Sequence, residues 1–208
     1  MQFSYEPISN AEAQRERVVY EPLADAVRDL LDATIRTRAD AGAVAQARRT
    51  IEAVTAALRA DQTDGPLGVR FTHEGEGQSW GNPVIGIRNP IAPPLKINRD
   101  GMRCWSEFDL GAAYEGPPNH VHGGVSALVL DHMLGEVASS GLTKPLFTGT
   151  ITMRYLRGTP LGPLRSEAWI DRVDGIKTYA KGFIADADGP TVQAEGVFIQ
   201  PVWAREQQ

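Results

Sequence analysis

One histidine, two glycines and one aspartate carry the clearest chemical signal in this chain. They lie in the run Gly116-Pro117-Pro118-Asn119-His120-Val121-His122-Gly123-Gly124-Val125-Ser126-Ala127-Leu128-Val129-Leu130-Asp131-His132. A rigid proline turn leads to His122, and Gly123 and Gly124 then open an apolar helix. Glycines at that place put no side chain between a substrate atom and the free backbone N–H groups of the first turn, where the helix dipole also favours developing negative charge. The arrangement is a ready oxyanion site. Asp131 stands in the middle of the same helix, where an unpaired carboxylate is costly, so it either pairs or faces a polar cavity. At ~1.5 Å rise per residue it lies roughly 12 Å along the axis from Gly123, too far for both to hold one substrate atom within one chain. Two antiparallel helices in a dimer would close that gap.

Other reactive side chains fit their chemistries less well. His120 and His122 have the spacing of half a metal site, but the carboxylate such a site needs four or five residues on is replaced by Ser126 and Ala127, so no metal is expected. Ser126, Ser139 and Ser140 lack the strand-Gly-x-Ser-x-Gly elbow of a serine hydrolase. His132 points about 100° away from Asp131 around the helix, which suits a core or interface residue. The single cysteine, Cys104, excludes an internal disulfide and any all-cysteine metal cluster within one chain.

These residues need elements to hold them. Val125, Leu128, Val129, Leu130, Met133, Leu134, Val137 and Ala138 are apolar almost all the way round, as in a helix surrounded by protein. Strand-like runs, Met102 to Leu110 before it and Thr148 to Leu156, Arg165 to Val173, Ile176 to Asp186 and Thr191 to Ile199 after it, are bounded by turn chemistry such as Asp174-Gly175 and Gly189-Pro190. The last four, with short connections, predict an antiparallel meander. The class is α+β, a sheet wrapped around one helix. Ahead of it, Leu23, Val27, Leu30, Leu31, Thr34 and Ile35 form one helical stripe and Val44, Ala47, Ile51, Val54 and Leu58 a second. That spacing predicts a hairpin of two helices, with Pro22 in the first turn of the first and Gly42 between the two. The expected division is an N-terminal helical extension over 1–65 and a main domain over 66–208.

Composition bounds the function. With 208 residues, 42% hydrophobic and 23% charged, the chain has material for one core and one appendage. A net charge of -5 and a pI near 5.4 give no electrostatic footprint for nucleic acid. The uncharged stretch Gly116 to Leu130 is too short and too broken by prolines and glycines to span a bilayer. The first residues have neither a basic start nor an apolar run, so a cytoplasmic location is expected.

His122-Gly123-Gly124, six further residues and then Asp131, inside a buried helix followed by four strands, resemble the hotdog-fold acyl-CoA thioesterases of the phenylacetate-pathway and thioesterase-superfamily type, in the branch with an N-terminal helical extension. The resemblance covers about Pro66 to Val202. It implies hydrolysis of acyl-CoA to a carboxylic acid and free CoA, with Asp131 as general base or nucleophile. The Gly123 N–H would polarise the thioester carbonyl, His122 would orient that group, and Thr148 would help position the water. Coenzyme A enters as part of the substrate and no cofactor is expected. Gly124 and Asn119 would contact substrate, Asn119 standing in for the asparagine that relatives place where Gly116 stands here. Arg154 and Arg157, with Lys96 and Arg165, are candidates for the phosphates of CoA. The expected assembly is a homodimer or dimer of dimers. The same groove on a non-catalytic acyl-binding module is the alternative, and a hotdog hydratase fits less well, because its Asp-x4-His spacing is missing.

Overall fold

The computed structural model describes residues 4, 5, 8–93, 95–141 and 144–205. They divide into two compact units, Met1–Asn82 with Gly86–Pro90, and Pro83–Ile85 with Ile91–Gln208. The boundary expected at 65–66 lies inside the first of them.

The first unit holds strand β1 (Ser4–Tyr5), helices α1 (Asn10–Arg36) and α2 (Ala41–Arg59), and strands β2 (Arg70–Phe71) and β3 (Gly77–Gln78), the three strands forming a small sheet in the order β1-β2-β3. The predicted hairpin is present, but two of its boundary signals lie elsewhere. α1 starts thirteen residues ahead of Leu23 at a capping box, in which Ser9 N–H donates to Glu12 Oε2 at 2.8 Å and Glu12 N–H to Ser9 Oγ at 3.3 Å. Pro22 therefore falls inside the helix, not in its first turn. Gly42 is likewise inside α2, whose cap is Asp40, accepting from the N–H groups of Gly42 and Ala43 at 2.8 and 3.0 Å. α2 buries none of its residues, and Val44, Ile51, Val54 and Leu58 remain exposed. Between the helices a cavity of about 890 Å³ is walled by Leu23, Val27 and Leu58, with the Arg88 guanidinium stacked 3.7 Å from the Tyr20 ring centroid at its side.

The second unit carries β4 (Asn98–Asp100), β5 (Arg103–Leu110), a 3-10 turn (Ala112–Tyr114), α3 (Gly123–Ala138), β6 (Phe147–Tyr155), β7 (Gly162–Asp174), β8 (Lys177–Asp186), β9 (Gly189–Ile199) and a short α4 (Val202–Arg205). The six strands make one antiparallel sheet in the order β4-β5-β7-β8-β9-β6. Side chains alternate in and out along β5 and β8, the period-2 pattern of a sheet with one face on the core. That face wraps α3: Val129, Leu130, Met133 and Leu134 have no exposed surface and pack with Ile184, Val192 and Phe198. This is the hotdog fold.

The predicted meander of four strands is corrected to three. β7, β8 and β9 follow one another, but β6 pairs with β9 and not with β7, which lies against β5. The chain leaves α3 at the far edge of the sheet, so a short connection from β6 must cross to the other side before β7 begins. The helix is also less enclosed than its composition implies. Gly124 and Leu128 are exposed and Asp131 is half-buried, an i, i+4, i+7 stripe left open in the single chain.

Candidate active site

The first four N–H groups of a helix have no partner in their own helix, and at α3 three of the four find one nearby. Gly124 N–H donates to His122 Nδ1 at 3.0 Å, and Val125 and Ser126 turn back to the His122 carbonyl. The fourth, Gly123 N–H, meets no acceptor among the described residues. His122 is thus the N-cap through its ring, a place usually taken by Ser, Thr, Asp or Asn. An accepting Nδ1 puts the ring proton on Nε2. The loop before it is tied down by His122 N–H to the Tyr114 carbonyl at 2.9 Å and by Gly116 N–H to the His120 carbonyl at 2.9 Å.

Two turns along, Asp131 Oδ1 accepts a hydrogen bond from Thr148 Oγ1 at 2.9 Å. The other carboxylate oxygen has no partner among the described residues, so it is open to a substrate or a water. Thr148 is delivered by an irregularity in β6: it pairs with Phe198 and Thr150 with Val197, which leaves Gly149 as the extra residue of a β-bulge. Bulges of this kind re-aim a side chain beside a site, and a Cβ at Gly149 would stand 2.7 Å from Ile199 Cδ1, so a larger residue there would have to displace the Ile199 side chain.

The remaining sequence candidates are dispersed around this pair. Gly124 is exposed in the first turn of α3. Asn119 sits in the loop with φ +60°, its N–H on Glu115 Oε1 at 2.7 Å and its carbonyl accepting from Leu161. At Gly116 a Cβ would stand 2.7 Å from His122 Cα, so this backbone has no room for the asparagine of the relatives. Arg154 is exposed on β6. Arg157 is engaged: it forks onto Asp186, with Nη1 to Oδ2 at 2.7 Å, and reaches the Gly189 carbonyl at 2.8 Å. That guanidinium holds the Asp186 carboxyl down to about 2. Arg165 pairs with Glu107 and Glu167, and Lys96 is exposed.

Residues that the sequence reading passed over complete the picture. Tyr155, at the end of β6, donates its hydroxyl to the Gly123 carbonyl at 2.9 Å. With Gly123, Ser126, His120 and Val121 it walls a cavity of about 410 Å³ at the start of α3. A second carboxylate of the apolar helix, Glu136, is 4% exposed and forms an ion pair with Arg99 beside Cys104 and His132. Burial pushes the His132 imidazole down to about 4; Arg99 adds to this and Asp131 opposes it, so His132 is neutral beside Asp131 at pH 7. Among the described residues no three His, Cys, Asp or Glu side chains gather as a metal site, and no helix is long and apolar enough to cross a membrane. A tyrosine closing on the helix start has no local sequence signal, whereas Glu136 is visible to anyone counting charges in α3.

Similarity to known proteins bears on the family and the fold. The family model of the thioesterase superfamily matches residues 118–192, the stretch from the loop before His122 into β9. A solved thioesterase superfamily protein is 32% identical, with a TM-score of 0.76 over 94% of this chain and 98% of its own. That match therefore extends over the N-terminal helices. A phenylacetic acid degradation-related protein from Ralstonia eutropha is 18% identical over 50% of this chain and 83% of its own, with a TM-score of 0.47. A thioesterase superfamily protein from Shewanella loihica is 21% identical over 52% and 91%, with a TM-score of 0.44. No curated protein matches the sequence. From the 32% identity sustained along nearly the whole of both chains, the chain belongs to the thioesterase superfamily.

Proposed function

We propose that the chain hydrolyses acyl-CoA thioesters to a carboxylic acid and free CoA, with no metal or prosthetic group. The observation that carries this reading is the combination on one helix of an unoccupied N–H at Gly123 and a carboxylate, Asp131, with one oxygen held by Thr148 and the other open. In the proposed reaction Asp131 takes a proton from water, and the water oxygen attacks the thioester carbonyl carbon. The carbonyl oxygen becomes an oxyanion that the Gly123 N–H binds. Collapse of the tetrahedral intermediate breaks the C–S bond, and the departing CoA thiolate takes the proton held by Asp131. Gly123 and Asp131 are roughly 12 Å apart along α3, so each site takes its N–H from one chain and its carboxylate from another. The open stripe Gly124, Leu128, Asp131 supports this reading. So does β6, a nine-residue edge strand without proline or lysine, the kind of edge that pairs with a second copy.

The test is thiol release from a panel of aliphatic and aromatic acyl-CoAs. Asp131→Asn should stay folded and lose at least ~100-fold in kcat, a typical scale for a missing general base. Gly123→Pro removes the donor at a helix position that tolerates proline. Neither variant should be active alone. Mixed in equal amounts they should recover about a quarter of wild-type activity, because half of the dimers are mixed and each of these has one intact site. A folded Asp131→Asn with near wild-type turnover sinks the assignment. A wild-type chain that binds acyl-CoA and hydrolyses none of the panel is an acyl-binding module instead.

A further inference from the structure

Two successive glycines give a helix start the loosest backbone available, yet an oxyanion donor is effective only when its direction is fixed in advance. Around Gly123 and Gly124 the structure meets that conflict with side chains from outside the helix. We infer that Tyr155 is a positioning residue of the acyl-transfer site, fixing the peptide between Gly123 and Gly124 so that the Gly123 N–H keeps one orientation. The kinetic part of this inference rests on the thioesterase reading given above.

The peptide in question is held at both of its polar ends. Its carbonyl, that of Gly123, accepts from Tyr155 Oη at 2.9 Å, and its N–H, that of Gly124, donates to His122 Nδ1 at 3.0 Å. With both ends held, the torsions on either side of Gly123 Cα cannot drift independently, and the N–H on the other side of that carbon inherits the restraint. The ring lies close as well: a Cβ built on Gly123 would stand 3.4 Å from Tyr155 Cε1 and Oη. The phenol thus lies against the backbone of Gly123 and limits a segment that glycine would otherwise leave free. Tyr155 comes from the last residue of β6, paired with Val192 of β9, so a strand anchored in the sheet bears on the end of the helix. Its ring also walls the cavity of about 410 Å³ next to Gly123 and Ser126, which makes the two roles, hydroxyl and wall, separable by substitution.

Tyr155→Phe keeps the wall and removes the hydroxyl. The residue is 54% exposed, so water competes for the bond and the effect is moderate. We expect kcat to fall about fivefold, the scale of one ordinary hydrogen bond, with KM unchanged within about twofold. Amide exchange of Gly124, followed by NMR on the intact protein, should quicken by about the same factor while amides of β8 keep their rates. Tyr155→Leu removes the wall too, and should raise KM in addition. A Tyr155→Phe protein with wild-type kcat overturns the inference, whether Gly124 exchange quickens, which would make the bond merely structural, or does not. A fall in kcat with unaltered Gly124 exchange overturns it too, since the hydroxyl would then act without holding this peptide. Loss of the thioesterase reading is recognised separately, because in that case the wild-type chain itself releases no thiol from any acyl-CoA.

Discussion

Acidification should weaken the native state by about 3 kcal/mol through one imidazole, that of His132, and the direction follows from where it sits. Its ordinary pKa of 6.5 is pushed to about 4, first by burial, then by the Arg99 guanidinium, against the opposing pull of Asp131. The folded chain therefore keeps the ring neutral in a range where the unfolded chain protonates it. Between pH 6.5 and 4 the unfolded state binds more protons, so this contribution is complete above 6.5 and is lost as the pH falls toward 4. Linkage over a shift of that size gives a loss of about 2 kcal/mol by pH 5 and about 3 kcal/mol by pH 4. Urea unfolding at a fixed protein concentration, repeated from pH 7.5 to 4, measures it, with His132→Leu as the reference. His132 Nε2 is buried with no hydrogen-bond partner among the described residues, so an apolar side chain of similar size forfeits little at pH 7.5. Other groups titrate in the same range in both proteins, and the difference between the two curves isolates the imidazole. Asp186, held near 2, stays ionised throughout. Stability curves for wild type and His132→Leu that run parallel from pH 7.5 to 4 would refute the burial argument.

Arg99→Met should destabilise by about 3 kcal/mol, because it leaves the Glu136 carboxylate, 4% exposed, without its cation, and Arg99→Met with Glu136→Leu should regain most of that loss in the same urea assay. Gly116→Asn should lower stability by about 1–3 kcal/mol and depress turnover, since its Cβ would meet the His122 backbone; an unchanged melting temperature would show that the loop yields. Cys104 has no exposed surface and burial pushes its thiol to about 11, so alkylation at pH 8 should proceed at the rate of unfolding, and labelling as fast as a free thiol would contradict its placement.

What the sequence makes legible is what lies close together in it. The all-round apolar character of Val125 to Ala138 locates α3 to within two residues, and the alternation of β5, β8 and β9 gives those strands, because period alone encodes burial. Glycines at 123 and 124 mark a helix start without side chains, and the Gly123 N–H there meets no acceptor among the described residues. Pro22 misled because a proline tolerated at a helix start is also accommodated within a long helix, whereas Ser9 and Glu12 carried the true start signal three residues apart. Strand order was not legible in the same way. Nothing in β6 or β7 says that the chain crosses the sheet between them, and the assumption that neighbours in sequence pair in space fails there.

The side chains that govern the site illustrate the same limit. Thr148 reaches Asp131 from 17 residues away, and the resemblance to a known family, not any local pattern, singled it out. The device that aims it, the bulge at Gly149, appears only once β6 is laid against β9. Tyr155 meets the Gly123 carbonyl from 32 residues away, and Arg99 meets Glu136 from 37, pairings that depend on sheet register. A contiguous motif thus declares which groups could react, because the helix geometry relating them is fixed by the chain itself. The groups that hold them, Thr148 and Tyr155, arrive on β6, far from the helix start in the sequence, so their identity depends on how that strand is laid in the sheet. For that reason substitutions at Thr148, Gly149 and Tyr155 bear on the same two atoms, Asp131 Oδ1 and Gly123 O, although no spacing in the sequence connects them.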